Sequence, residues 1–311
     1  VYLTAADGHS AWVNSKALEL AGITRLTPDP VNGRIERDPR TGEPSGTLRE
    51  TASGLVSRYL PQRTQAETRA GLKRALHMAN RFGLTTLHEA DAGPRLPEAD
   101  ASLDNAGELT ARVVAGLSVD PRGGVAQLDS LRAWRSRYAG TSYFRPKAAK
   151  IYVDGVMEAK TAALLAPYIG DSSRGEPRLS PAALDTLVAA LDGAGFQVHV
   201  HAMGDRAIRM TLDAFEFARL HNGPRDARPI ITHLELIDST DIPRFAKLGV
   251  IASFQPLWAY ADSYITDLTE PILGPVRSRW LYPIGSVARS GAPLAAGSDW
   301  IVSSMNPFEA I

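Results

Sequence analysis

The sequence contains no cysteine. That absence removes disulfide frameworks, thiolate metal sites and cysteine nucleophiles together, and confines any metal site to nitrogen and oxygen donors. Net charge is absent too, because 34 Lys and Arg balance 34 Asp and Glu. No global field draws nucleic acid or an anionic membrane surface, so neither is expected as a partner. Long apolar runs are also missing: none approaches the roughly 20 residues that a membrane helix needs. Residues 1–6 have neither the charge nor the length of a secretory signal, and a cytoplasmic protein is expected. The ends lack the marks of natural termini. The chain opens on VYLTAADGHS without Met and closes on SSMNPFEAI, a helix start that is cut off near Pro307. The gene product is expected to extend beyond both ends.

What is present is a globular composition, 44% hydrophobic over 311 residues, long enough for one (β/α)8 barrel of roughly 250 residues with an addition. Runs rich in Val, Ile and Leu alternate with amphipathic stretches, the pattern of parallel strands buried on both faces by crossover helices. Strands are predicted at residues 85–89, 112–118, 148–154, 196–201, 230–234, 250–254 and 294–296. Helices are predicted at 66–81, 184–194, 205–220 and 238–247. Ser180 before Pro181, Asp205, and Asp238 or Ser239 read as helix caps, and Gly83, Gly195 and Gly249 fit the left-handed position that ends a helix. The fold class is therefore α/β, a TIM-type (β/α)8 barrel lacking its first strand. Residues 83–311 form the barrel, strands two to eight. Residues 1–82 hold one strand (1–4), a helix (15–21) and a hairpin-like VNGRIERDPRTGEPSG, and read as an insertion or lid over the barrel mouth between strands one and two.

In such barrels the chemistry sits where strands end and loops begin. AAKIYVDG carries Lys150 and Asp154, FQVHVHAMGD carries His199 and His201, IITHLEL carries His233, and LAAGSDW carries Asp299. Imidazole and carboxylate suit a divalent transition metal, zinc by default, as one or two ions. Bound water then becomes acidic enough to attack at neutral pH, and a nearby Asp can move its proton to a leaving amine. His199 precedes His201 by two residues, lies one layer deeper and reads as core. Lys150 alone is as readily explained by a salt bridge to Asp154 or Asp299 as by function.

These residues sit in segments that resemble the amidohydrolase superfamily, in particular its amidohydrolase 3 branch, which includes N-substituted formamide deformylase. The likeness runs along nearly the whole chain: DGHSAWVNSKAL at residues 7–18, GEPSGTLRE at 42–50, GLTTLHEA at 83–90, KIYVDGVMEAKTAALLAPY at 150–168, HAMGDRAI at 201–208, THLEL at 232–236 and GSDWIVSSMNPFEAI at 297–311. The resemblance implies that Lys150 is the carboxylated lysine bridging two metals, His201 and His233 are metal ligands, and Asp299 binds metal and acts as the base. It also implies a first-strand His-x-His pair, which the chain does not contain. His199 and His201 imitate that pair, but Lys150 would then precede strand one. His9 and Asn14 match a loop that covers the site, although Asn14 reads equally as a helix cap.

Three functions follow as expectations. The first is hydrolysis of a C–N bond other than a peptide bond, in an amide, formamide or cyclic amide. The metal site is Lys150, His201, His233 and Asp299, with Asp299 catalytic; His9, Trp12, Asp154, Trp258 and Trp300 contact a small-molecule substrate. The second is a catalytically silent barrel that acts as a binding or regulatory module. The third is a lyase that uses Lys150 as a Schiff base. Assembly as a homodimer stays open.

Overall fold

A computed structural model describes all residues 1–311, in two compact units. The first comprises residues 1–63 with 300–302. Its four strands are β1 (Tyr2–Thr4), β2 (Ser10–Val13), β3 (Gly33–Arg37) and β4 (Pro44–Glu50), paired antiparallel in the order β1-β2-β4-β3. Alternation builds this sheet: Ala11 and Val13 are buried while Trp12 between them is exposed. The buried face joins Ile35, Leu48, Ala52 and Val56 in a small core with Ala17 of the helix Ser15–Ala21. Asn14 caps that helix, its side chain accepting the Ala17 N–H at 3.2 Å. The β3–β4 turn is closed by Asp38, whose carboxylate accepts the N–H groups of Arg40 and Thr41.

The second unit comprises residues 64–299 with 303–311. It is an α/β fold around a curled sheet of seven parallel strands: β5 (Thr86–Ala92), β6 (Arg112–Ser118), β7 (Phe144–Tyr152), β8 (Gln197–Ala202), β9 (Ile230–His233), β10 (Ile251–Phe254) and β11 (Leu294–Ala296). Each strand pairs with the next in sequence, so the sheet runs from β5 to β11 without a switch. This is the sheet of a TIM-type barrel with one strand fewer than closure requires. Its apolar residues, among them Ile151, Val198, Val200 and Ile231, pack against Leu184, Leu187, Ile208 and Phe215 of the helices Pro181–Gly193 and Asp205–Asn222.

Helix Gln65–Arg81 belongs with this sheet, the units dividing between Arg63 and Thr64. Thr64 and Glu67 form its capping box. Gly83, Gly195 and Gly249 follow their helices at φ of 72°, 79° and 67°, the left-handed conformation that lets the chain turn into the next strand. Two helix starts differ from expectation. Helix Ile242–Leu248 begins later than Asp238, with Asp241 at its cap position and Pro243 in its first turn. Gly204, not Asp205, is the cap residue of Asp205–Asn222. No helix is long and apolar enough to cross a membrane.

Candidate active site

Register places the polar residues. Lys150 on β7 pairs across to Ser118 on β6 and His199 on β8, and Tyr152 pairs to His201. Alternation puts Lys150 and Tyr152 on one side of their strand, as it does His199 and His201. The Lys150 ammonium lies 5.1 Å from the centre of the Tyr152 ring, and the Tyr152 and His201 rings lie 5.0 Å apart. His201 and His233 are closer still, with ring centres 4.5 Å apart and edge to face.

Each imidazole is held from behind. His201 Nε2 donates to the Gly155 carbonyl at 3.0 Å, which makes Nδ1 the nitrogen that carries the lone pair. His233 Nδ1 lies 2.8 Å from Gln255 Oε1. The Gln255 amide N–H donates to Thr232 Oγ1 at 3.3 Å, so its oxygen faces His233 and fixes the proton on Nδ1. The lone pair of His233 is thus on Nε2. Outer hydrogen bonds that set the tautomer in this way are characteristic of metal-binding histidines. His233 and Leu234 have φ of 81° and 57°, a left-handed pair without glycine that ends β9 abruptly. Trp258 stacks on His233, ring centres 5.4 Å apart and planes 3° from parallel.

Lys150 is 3% exposed. Burial pulls its pKa down to about 8, against the opposing charges of Asp299, Asp91 and Glu89. Asp299 follows the exposed strand β11 at φ of 48°, and its charge acts on Lys150, Glu89 and Tyr152. Tyr152 donates to Asp91 Oδ2 at 3.0 Å, while the other oxygen of Asp91 bonds the Ser118 hydroxyl. Burial first, then Asp91, push the Tyr152 pKa above its ordinary value.

Asp154 has a different place from the substrate contact expected of it. It is fully buried, and its carboxylate accepts the backbone N–H groups of Ala163, Met203 and Gly204 at 2.9 to 3.0 Å. It also lies 3.6 Å from His201 Nε2. These bonds tie the ends of β7 and β8 to the loop that follows β7. Burial raises its pKa to about 7, against the pull of those N–H groups. Gly204 completes the junction: a Cβ there would lie 2.2 Å from the Ala163 carbonyl oxygen.

His9, Trp12 and Trp300 belong to the first unit. His9 Nδ1 lies 3.1 Å from both oxygens of Glu50, Trp12 points outward from β2, and Trp300 is partly exposed. The structure therefore gathers Lys150, His201, His233 and Trp258, with Asp299 acting on Lys150 through its charge. The sequence reading missed Tyr152, Asp91 and Gln255. Gln255 sits directly after β10, the same strand-end signal that marked the histidines.

The Amidohydrolase family model matches residues 1–311. This chain belongs to the amidohydrolase family. Relatives of this amidohydrolase chain include Protein LONG AFTER FAR-RED 3 of Arabidopsis thaliana, 32% identical over all of this chain and 54% of its own length. N-substituted formamide deformylase of Arthrobacter pascens is 25% identical over 99% of this chain and 57% of its own. An uncharacterized metal-dependent hydrolase from Pyrococcus furiosus has the same fold, with a TM-score of 0.74 and 24% identity over 97% of this chain and 59% of that one. The amidohydrolase chain spans little more than half the length of these relatives.

The donor chemistry fits a divalent transition metal, since two buried imidazoles with fixed tautomers stand beside a lysine and an aspartate. No three His, Cys, Asp or Glu side chains form a ready-made cage.

Proposed function

We propose that the protein is a metal-dependent hydrolase that cleaves the C–N bond of an amide, formamide or cyclic amide. The observation that carries this reading is the approach of His201 and His233 to 4.5 Å between ring centres, each with its outer nitrogen anchored. His201, His233, Asp299 and a carboxylated Lys150 would hold the ion, with zinc the first candidate and one or two ions the expected number. When bound, such an ion supplies Lewis acidity, which makes water a nucleophile at neutral pH and polarises a carbonyl.

The chain's own residues do the rest. Asp299 takes the proton of the attacking water and delivers it to the leaving nitrogen. Trp258, stacked on His233, gives an apolar wall for the substrate's substituent. The Gly155 carbonyl and Gln255 keep the two imidazoles oriented. The substrate is a small molecule, and the name of the Arthrobacter pascens relative supports a formamide among the first compounds to try.

Metal analysis of the full-length gene product, paired with assays on a panel of amides and N-substituted formamides, tests the proposal. One or two transition-metal equivalents are expected in the wild type, with hydrolysis that falls at least about a hundredfold in Asp299→Asn. Folded protein that takes up no metal and hydrolyses nothing would rule the reading out.

A further inference from the structure

His199 is a buried polar residue of the barrel strands that this chemistry leaves unused. It is 4% exposed, and neither of its ring nitrogens has a hydrogen-bond partner. Orphaned polar groups at such depth are costly, so folded proteins give nearly all of them a partner. The neighbour that register supplies is Lys150, aligned with His199 across the β7–β8 ladder. Aligned residues on adjacent parallel strands project to the same face. Lys150 is equally buried, and its contact is the face of the Tyr152 ring at 5.1 Å. Two desolvated polar side chains thus stand side by side, and the imidazole of His199 has no hydrogen bond. The His88 ring flanks His199 with its centre 5.0 Å away.

We propose that His199 is a positioning residue for carboxylated Lys150, one ring nitrogen accepting the N–H that the lysine nitrogen keeps once it carries a carboxylate. This rests on the reading of Lys150 given above. In the modification, the neutral amine attacks the carbon of carbon dioxide. An N–C bond forms, one C=O electron pair moves onto oxygen, and the displaced proton goes to water. Nothing is oxidised or reduced. The product nitrogen is planar with a single N–H, and at this depth water cannot satisfy it. The hydroxyls of Ser118 and Tyr152 are already committed, because both bond Asp91. A neutral imidazole has one acceptor nitrogen to offer, and His199, aligned with Lys150 across the ladder, is placed to offer it.

The experiment reads the modification itself. Metal-loaded full-length gene product is equilibrated with 13C-bicarbonate, and carbamate occupancy is followed by 13C NMR across a bicarbonate titration. Circular dichroism and melting verify folding. His199→Phe keeps a ring without an acceptor, and is expected to raise the bicarbonate needed for half-occupancy about tenfold, the worth of one buried hydrogen bond. His199→Asn keeps an acceptor and should recover most of that loss, which a purely space-filling role would not produce. If His199→Phe does not fold, His199→Leu serves as the acceptor-free variant. Wild-type occupancy in a folded acceptor-free variant overturns the inference and leaves the Lys150 reading intact. A wild type with no carbamate signal at any bicarbonate concentration overturns both.

Discussion

Asp100 is 1% exposed in the helix Leu96–Asn105, and neither of its carboxylate oxygens has a hydrogen-bond partner. Desolvation, and next to it the charge of Glu89, raise its pKa to about 7 from an ordinary 3.8. The protonated acid is thus the form that suits the fold. Its contribution to stability is complete below about pH 4 and is lost as pH rises through 7, because an ionised Asp100 must then stay buried. Asp100→Asn removes that charge. It should stabilise the protein by roughly 2 kcal/mol at pH 8, and by little at pH 4. Urea unfolding of both proteins at the two pH values decides the matter, and an equal difference at both would contradict the assignment.

The same scale shows what the sequence could tell about the site. Lys150, His201, His233 and Asp299 are legible because each is a polar residue at the end of an apolar strand. The roles of Asp154 and Gln255 are not. Asp154 looks the same in sequence whether it faces a substrate or three backbone N–H groups, and only the approach of the loop after β7 to the end of β8 distinguishes these. Gln255 matters because its amide is clamped by Thr232, a residue on the neighbouring strand.

At the scale of elements, the seven strands β5 to β11 fall within a few residues of their expected positions, since a strand buried on both faces writes itself as a continuous apolar run. The short strands β2 and β4 were harder to see. SAWV and PSGTLRE are brief and half polar, and they become strands through pairing with each other. Helices Leu96–Asn105 and Leu128–Arg137 were also missed, being ten residues each with apolar positions too sparse to stand out. Helix Gln65–Arg81 offers a measurable consequence of local propensity. Gly71 lies in its interior, and a Cβ there would meet nothing within 4 Å. Gly71→Ala should therefore stabilise the protein by about 0.5–1 kcal/mol with no effect on metal content. Chemical denaturation reads the gain, and a loss of stability would mean the helix is not solvent-facing at that position.

At the scale of the whole molecule, the parallel sheet ends on two strands that each lack a neighbour on one side, β5 and β11. All three residues of β11, Leu294, Ala295 and Ala296, are exposed. An uncovered strand edge of this kind is a template for pairing with other chains. Residues 1–311 produced alone should self-associate in a concentration-dependent way, seen by light scattering and size-exclusion chromatography. A charge placed on the edge, as in Ala295→Lys, should reduce that association. A strictly monomeric protein at high concentration would show that the edges are already shielded.

The simple order of the sheet, in which every strand lies beside the next one made, bears on how the protein comes into being. As the chain leaves the ribosome, each new strand can dock on its finished predecessor and extend the sheet by one step. Lys150 and His201 are in place early, His233 joins them, and Asp299 arrives about a hundred residues after His201. A chain that has reached His233 but not Asp299 would thus hold both imidazoles without the aspartate whose charge acts on Lys150.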